Sequence, residues 1–183
     1  MLQKTLAFID IETTGTDVVK HEILEIGLVV AKMNDQGHYV LFKEHEWKVK
    51  PERIEDADPV ALRVNGYDPG KWLFAHSLTQ AMQALAKETE GAVMVAHNVG
   101  FDYSFIAKAF ADTGVENKMF YANLDTISLA VAKLHRHPQV KRYTLRALCE
   151  FFNITNERAH TALADARATF ELYQRLMQPP TQR

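Results

Sequence analysis

Five residues have the types and spacing to do chemistry together: Asp10, Glu12, Asp102, Asp165 and His160. Asp10 and Glu12 interrupt the apolar run Leu6-Ala7-Phe8-Ile9-Asp10-Ile11-Glu12. Strand side chains alternate faces, so residues two apart point the same way. On a strand both carboxylates therefore leave one face, with Phe8 upstream on it. Like charges so placed repel, and each loses hydration worth several kcal/mol unless something compensates. A divalent cation compensates, because hard cations take carboxylate oxygens. The competing reading ends the strand by residue 10 and leaves both acids in solvent. Asp102 follows Val93-Met94-Val95-Ala96-His97-Asn98 and falls in the first turn of a helix, where the dipole favours negative charge. That alone would account for it, yet it shares a stripe with Ile106 and Ala109, at the margin of a buried face. It also follows a strand end, where α/β sheets place their sites.

Asp165 lines up with Ala162, Thr169, Leu172 and Leu176 at helical spacing. A carboxylate on an apolar helical stripe must be paired or must bind something. Ala162, Ala164, Ala166 and Ala168 let this helix approach a sheet closely enough to bring Asp165 to Asp10. His160 lies five positions before Asp165 and on a different helical face, so it reaches the site from the incoming loop. The other histidines read as structural or solvent-exposed.

The elements that must position these residues belong to a chain of 183 residues, enough for one domain. It is 47% hydrophobic and 24% charged, which excludes disorder as the main state. A formal net charge of -2 leaves no overall basic field, so contact with nucleic acid must rest on a local site. Cys149 is the single cysteine, which excludes an internal disulfide and points to a reducing compartment. The longest stretch without Asp, Glu, Lys or Arg, Trp72 to Ala86, is too polar to span a membrane. Asp10 and Glu12 cut the N-terminal apolar run where a signal peptide would exclude them, so the expected location is the cytoplasm.

Strands are predicted at Thr5–Ile11, Ile23–Lys32 and Tyr39–Val49, the last two joined by the turn signal Asn34-Asp35-Gln36-Gly37. The period then changes. Pro59–Val64 reads as a short proline-initiated helix and Leu78–Glu88 as an amphipathic one. Ala92–Ala96 is a buried strand, Phe101–Asp112 a helix and Met119–Leu124 a last strand. Helices follow at Thr126–His135, Thr144–Phe151 and Thr161–Met177. Three meandering strands followed by helical crossovers imply an α/β domain over 1–177, one mixed five-stranded sheet flanked by helices, with a frayed tail at 178–183. Trp47 and Trp72 are assigned to the core.

At these residues the sequence resembles the DEDDh (DnaQ-like) 3′→5′ exonucleases, the family that includes the proofreading epsilon subunit of bacterial DNA polymerase III. The first motif is Phe8-Ile9-Asp10-Ile11-Glu12-Thr13-Thr14-Gly15, the second His97-Asn98-Val99-Gly100-Phe101-Asp102 and the third His160-Thr161-Ala162-Leu163-Ala164-Asp165. Weaker echoes are His21-Glu22-Ile23-Leu24-Glu25-Ile26-Gly27 and Leu124-Asp125-Thr126. The resemblance implies a ribonuclease H-like fold. It implies that Asp10, Glu12, Asp102 and Asp165 hold two Mg²⁺ or Mn²⁺ ions, that His160 is the general base, and that nucleoside 5′-monophosphates leave DNA 3′ ends. Thr13, Thr14, Val64, Asn65 and Phe101 then lie beside the terminal nucleotide. The chain is acidic only through the four proposed ligands; without them it would be net positive.

Two departures bear on substrate and partner. Many relatives have Val-His-Gly where this chain has Val64-Asn65-Gly66, and Asn65 hydrogen-bonds but carries no charge. The chain also ends soon after its last helix, without the polymerase-binding tail of epsilon subunits, which favours a freestanding enzyme over a polymerase partner. The basic residues Lys133, Arg136, Lys141, Arg142 and Arg146 form either a phosphate-contacting edge or an ordinary solvated face. Rival readings are an exoribonuclease acting on short RNA or RNA 3′ ends, and a catalytically silent 3′-end-binding module.

Overall fold

In the computed structural model, which describes residues 4–156 and 161–178, the first strand runs through both acids. β1 spans Leu6–Thr13, so the reading that placed Asp10 and Glu12 in a solvated loop is overturned, and the predicted end at Ile11 was two residues short. β2 is Ile23–Met33 and β3 is Tyr39–Lys48; both join as antiparallel neighbours, β2 against β1 and β3 against β2. The hairpin between them turns at Asn34–Gly37, where Asn34 N–H donates to His38 O at 2.8 Å and Gly37 takes φ +80°.

The short helix α1 is Pro59–Val64, and α2, Leu78–Glu88, begins with a capping box made by Ser77 and Gln80. β4, Val93–Ala96, enters parallel to β1, and α3, Val99–Thr113, starts two residues earlier than its apolar spacing predicted. β5 is only Leu124–Asp125, paired parallel with Val95 and Ala96. The predicted strand over Met119–Leu124 is thus corrected to a loop with a two-residue bridge at its end. Met119 and Phe120 pack on the core; Phe120 N–H donates to Ala92 O at 2.8 Å, but the ladder with β4 forms only at Leu124 and Asp125. α4 is Thr126–Leu134, α5 Leu145–Phe152 and α6 Ala162–Met177.

The sheet order is β3-β2-β1-β4-β5. Ala7, Ile9 and Ile11 pack on one side with residues of α2 and α3, while Phe8 packs on the other with Ala166, Phe170 and Tyr173 of α6. Covered on both faces, β1 reads as a nearly unbroken apolar run, and its polar interruptions gain meaning from that. α4, α5 and α6 share a third cluster around Leu148 and Leu172. Trp47 and Trp72 are buried, as expected. No helix among the described residues is long and apolar enough to cross a membrane. Residues 179–183 of the expected tail lie outside the described residues.

Candidate active site

Asp10 and Glu12 leave β1 on the face that carries Phe8, toward α6. What lets α6 reach them is the strand beside β1. Gly27 of β2 is the register partner of Asp10. A Cβ there would lie 2.2 Å from the Ala162 carbonyl carbon and 2.3 Å from Leu163 N, so only glycine admits the first turn of α6. With α6 seated, carboxylate oxygens of Asp10, Glu12 and Asp165 lie within 4.8 Å of one another. The small-residue approach expected for this helix is thus realised at its N-terminal end. Ala162, Thr169, Leu172 and Leu176 are buried along the stripe that Asp165 extends.

Asp102 comes from the other side of β1. That strand pairs with β4 only over Leu6–Phe8, so Ile11 N–H has no partner in β4. Instead it donates to Asp102 Oδ1 at 3.2 Å. Asp102 is 3% exposed, deeper than the margin its spacing suggested. It stands outside the three-carboxylate group, but after burial its charge is the next cause that lifts Asp10.

Burial holds the Asp10 carboxyl well above the ordinary range, helped by Asp102, Asp165, Glu12 and Glu25. Glu12 is pushed up to about 7 by burial and by the charges of Asp165 and Glu25. Burial takes Asp102 to about 8 against the pull of backbone N–H donors, Ile11 among them. Among the described residues no ion pair involves any of these three acids. Crowded, partly desolvated carboxylates without a basic partner are a donor set suited to a hard divalent cation.

The remaining expected residues surround this cluster. Thr13 and Thr14 are buried: the Thr13 hydroxyl donates to Gly15 O at 2.7 Å, and Thr14 Oγ1 accepts from Glu22 N–H at 2.9 Å. Asn65 caps α1, and its Nδ2 donates to Thr13 O at 3.0 Å, which ties the α1 end to the β1 end. Val64 beside it is exposed. Phe101 is half-buried, with its ring tilted against Phe105 at 5.1 Å. His160 lies outside the described residues.

His97 takes the structural part expected of it. Its ring bridges Thr126 Oγ1 and Tyr143 O, each at 2.9 Å, and burial holds its basicity down. That bridge ties the basic 141–142 stretch to the β4–α3 loop. Within the stretch's wider surroundings, Lys133 Nζ donates to Leu176 O and Gln178 O, and Arg146 pairs with Glu150 at 3.0 Å.

Three residues that support the site were not singled out from sequence. Glu25 accepts from Ala162 N–H at 2.9 Å. Asp125 Oδ1 accepts from Asn98 N–H at 2.9 Å and from Val99 N–H at 3.3 Å, fixing the start of α3 and hence Asp102. Asn156 Nδ2 donates to Asp165 Oδ1. The first two sit in the weaker echoes, His21–Gly27 and Leu124–Thr126, which were the available signal; Asn156 had none.

The Exonuclease family (RNase_T) matches residues 7–173 of the chain. A Ribonuclease T of Shewanella denitrificans is 31% identical over 177 residues, covering 90% of this chain and 76% of that protein. A DNA polymerase III PolC-type protein of Caldanaerobacter subterraneus subsp. tengcongensis is 31% identical over 179 residues, covering 97% of this chain but 12% of its own length. Among solved structures, E. coli Exonuclease I in complex with a dT13 oligonucleotide matches with a TM-score of 0.75 at 17% identity. That match covers 95% of this chain and 41% of the other, so the chain spans about two fifths of the Exonuclease I it resembles. At that identity the likeness speaks for the fold, a ribonuclease H-like mixed sheet. With a family match from β1 to near the end of α6, and the acids of three motifs converging on one strand, the chain belongs to the exonuclease family.

Proposed function

We propose that the protein is a metal-dependent 3′→5′ exonuclease that releases nucleoside 5′-monophosphates from DNA 3′ ends. The observation that carries the reading is the approach of Asp10, Glu12 and Asp165 to within 4.8 Å, with Asp102 buried alongside. These four carboxylates would hold Mg²⁺ or Mn²⁺, two ions to a site. When bound, such ions supply an activated water and charge stabilisation for the departing 3′ oxygen. His160 takes the proton of the attacking water, a task suited to a group that titrates near neutrality. Phe101 offers an aromatic face to the terminal sugar or base, and stacking of that kind tolerates any base. Thr13, Thr14, Val64 and Asn65 shape the wall around the terminal nucleotide. The Thr13 hydroxyl is committed as a donor to Gly15 O, while Thr14 Oγ1 accepts from Glu22 N–H and keeps its own O–H to donate.

A second reading, action on RNA 3′ ends, is favoured by the 31% identity to a Ribonuclease T. Matched 5′-labelled single-stranded DNA and RNA oligonucleotides decide between them, run with Mg²⁺, Mn²⁺ or EDTA and with Asp10→Ala as the control. The expected result is a ladder shrinking from the 3′ end of DNA, dependent on metal and lost in the variant. Shortening of RNA alone would move the substrate to RNA. Binding of 3′ ends with no mononucleotide released would leave a silent end-binding module. His160→Ala should lower turnover strongly while metal binding persists; wild-type turnover would remove His160 as the base.

A further inference from the structure

We infer that Glu25 is a positioning residue that seats the first turn of α6, and with it Asp165, against β1; the inference rests on the exonuclease reading of the site. Glu25 is 3% exposed and is the register partner of Glu12. Its charge adds to the repulsion on both Asp10 and Glu12. An acid buried there is costly, so it must do something a neutral side chain does less well.

Its two oxygens are divided between two elements. Oε1 accepts from Ala162 N–H, the first residue of α6, at 2.9 Å, and Oε2 pairs with Lys48 Nζ of β3 at 2.8 Å. A charge-assisted bond to a helix-start N–H is stronger than a neutral one and is further favoured by the helix dipole. Lys48 is restrained in turn: its ammonium lies 4.2 Å from the centre of the Trp72 ring. Trp72 is itself fixed by its Nε1–H donating to Leu24 O at 2.9 Å. Two residues along β2, Gly27 presents bare backbone to Ala162 and Leu163. Glu25 and Gly27 thus form one seat, a bond and a clearance side by side on the same face of the strand. Both Glu25 oxygens are committed and it stands outside the three-carboxylate group, so it positions a ligand and is not one.

The test compares wild type with Glu25→Ala in two measurements. The first is the Mn²⁺ dependence of oligonucleotide shortening; the second is backbone hydrogen exchange of the metal-free protein. Loss of an outer-shell partner raises the metal half-saturation by about 10- to 100-fold. KM for the oligonucleotide should stay within about twofold, because no substrate contact is removed. Amides at the start of α6 should exchange faster, while those of α2 and β4 keep their rates. Wild-type metal dependence together with wild-type exchange at α6 would overturn the proposal. If Glu25→Ala is destabilised throughout, Glu25→Asp decides. It keeps the charge but is one methylene too short to hold Ala162 N–H and Lys48 together. Folded protein with that substitution must show both changes in the same direction, and wild-type values would overturn the role. A wild-type protein inactive on DNA and RNA would break the exonuclease reading instead, and the exchange measurement would still decide whether Glu25 pins α6.

Discussion

At the end of β1, Asp10, Glu12 and Asp102 crowd together, and all three titrate above their ordinary range. On β3 and α2, Glu44 and Glu88 behave in the opposite way, while Glu46 on β3, beside Glu25, is raised as the site acids are. Glu44 is held low by the hydrogen bond and charge of Arg167, and Glu88 by Lys43 at 2.9 Å. Asp125 makes the contrast closer to home. Burial lifts it, yet hydrogen bonds from Ser128, Val99 and Asn98 outweigh that and bring it below the ordinary value. The fold therefore knows how to satisfy a carboxylate, with a base, a hydroxyl or backbone N–H groups. Where it gathers three along one apolar strand, no base among the described residues pairs with them, and the set suits a divalent cation as counter-charge. That is a functional signal, because perturbed carboxylates gathered at one point are what a metal-binding or catalytic site requires.

The largest effect should come from neutralising one crowded acid. Asp10→Asn should cut nuclease activity by about 10³-fold or more, since charge stabilisation by the bound metal is worth several kcal/mol at tenfold per 1.36. In EDTA at pH 8 the same substitution should raise the melting temperature, because it removes the cost of burying a carboxylate and its repulsion with Asp102, Asp165 and Glu12. A variant less stable than wild type in EDTA would show that the cluster is not charge-strained and would break the comparison.

Next comes the seat that creates the crowding. Gly27→Ala forces a Cβ into the α6 backbone, and overpacking of this kind costs about 1–3 kcal/mol. At this chain length that lowers the melting temperature by about 2–4 °C per kcal/mol. Activity should fall further than stability does, since the displaced turn leads to Asp165. Equal activity per folded molecule would mean that α6 need not touch β2 for the site to form.

The pH dependence follows with a smaller effect. Glu12 at about 7 and Asp102 at about 8 lie above their ordinary 4.5 and 3.8. Between those limits the folded protein holds protons that the unfolded chain releases, so stability falls as pH climbs from the carboxylate range to about 8. Metal-free protein should therefore melt several degrees higher at pH 6 than at pH 8. Mn²⁺ or Mg²⁺ should raise the melting temperature more at pH 8, where the cation displaces fewer protons than at pH 6. A metal-free melting curve that is flat from pH 5 to about 8 would show that burial and neighbouring charge do not hold these acids above their ordinary range.

Much of this was legible in the chain itself, for a definite reason. Alternation along Leu6–Glu12 has a period of two, and that period placed Asp10 and Glu12 on one face before any contact was known. Asp165 declared itself by sharing a stripe with Leu172 and Leu176, and both are buried. Apolar character misled at Met119–Leu124, because it reports burial rather than pairing; β4 offers only Val95 and Ala96 to β5. Glu25 stayed hidden for another reason. The echo His21–Gly27 contains it, but its role is defined by Lys48 and Ala162, 23 and 137 residues away, and spacing along the chain does not report contacts of that range.

The smallest predicted effect sharpens the comparison from the satisfied side. Arg167 holds Glu44 bidentately, with Nε at 2.8 Å and a terminal guanidinium nitrogen at 2.6 Å. The Arg167 side chain is 52% exposed, so solvent screens most of the attraction, and the pair should contribute less than about 1 kcal/mol. A double-mutant cycle of Glu44→Ala and Arg167→Ala, read by denaturant unfolding, should give a coupling of that size that shrinks as salt rises. Its pH sense should be the reverse of the site's. Glu44 is held below its ordinary value, so its contribution is present above that value and is lost as pH falls through the lowered one. The two groups of acids should then pull the pH profile of metal-free stability in opposite directions. Removing the Arg167 pair should leave the alkaline loss intact and weaken only the acid limb. If the alkaline loss also disappeared, the two regions would be electrostatically one, and the contrast between self-satisfied and externally satisfied acids would fail.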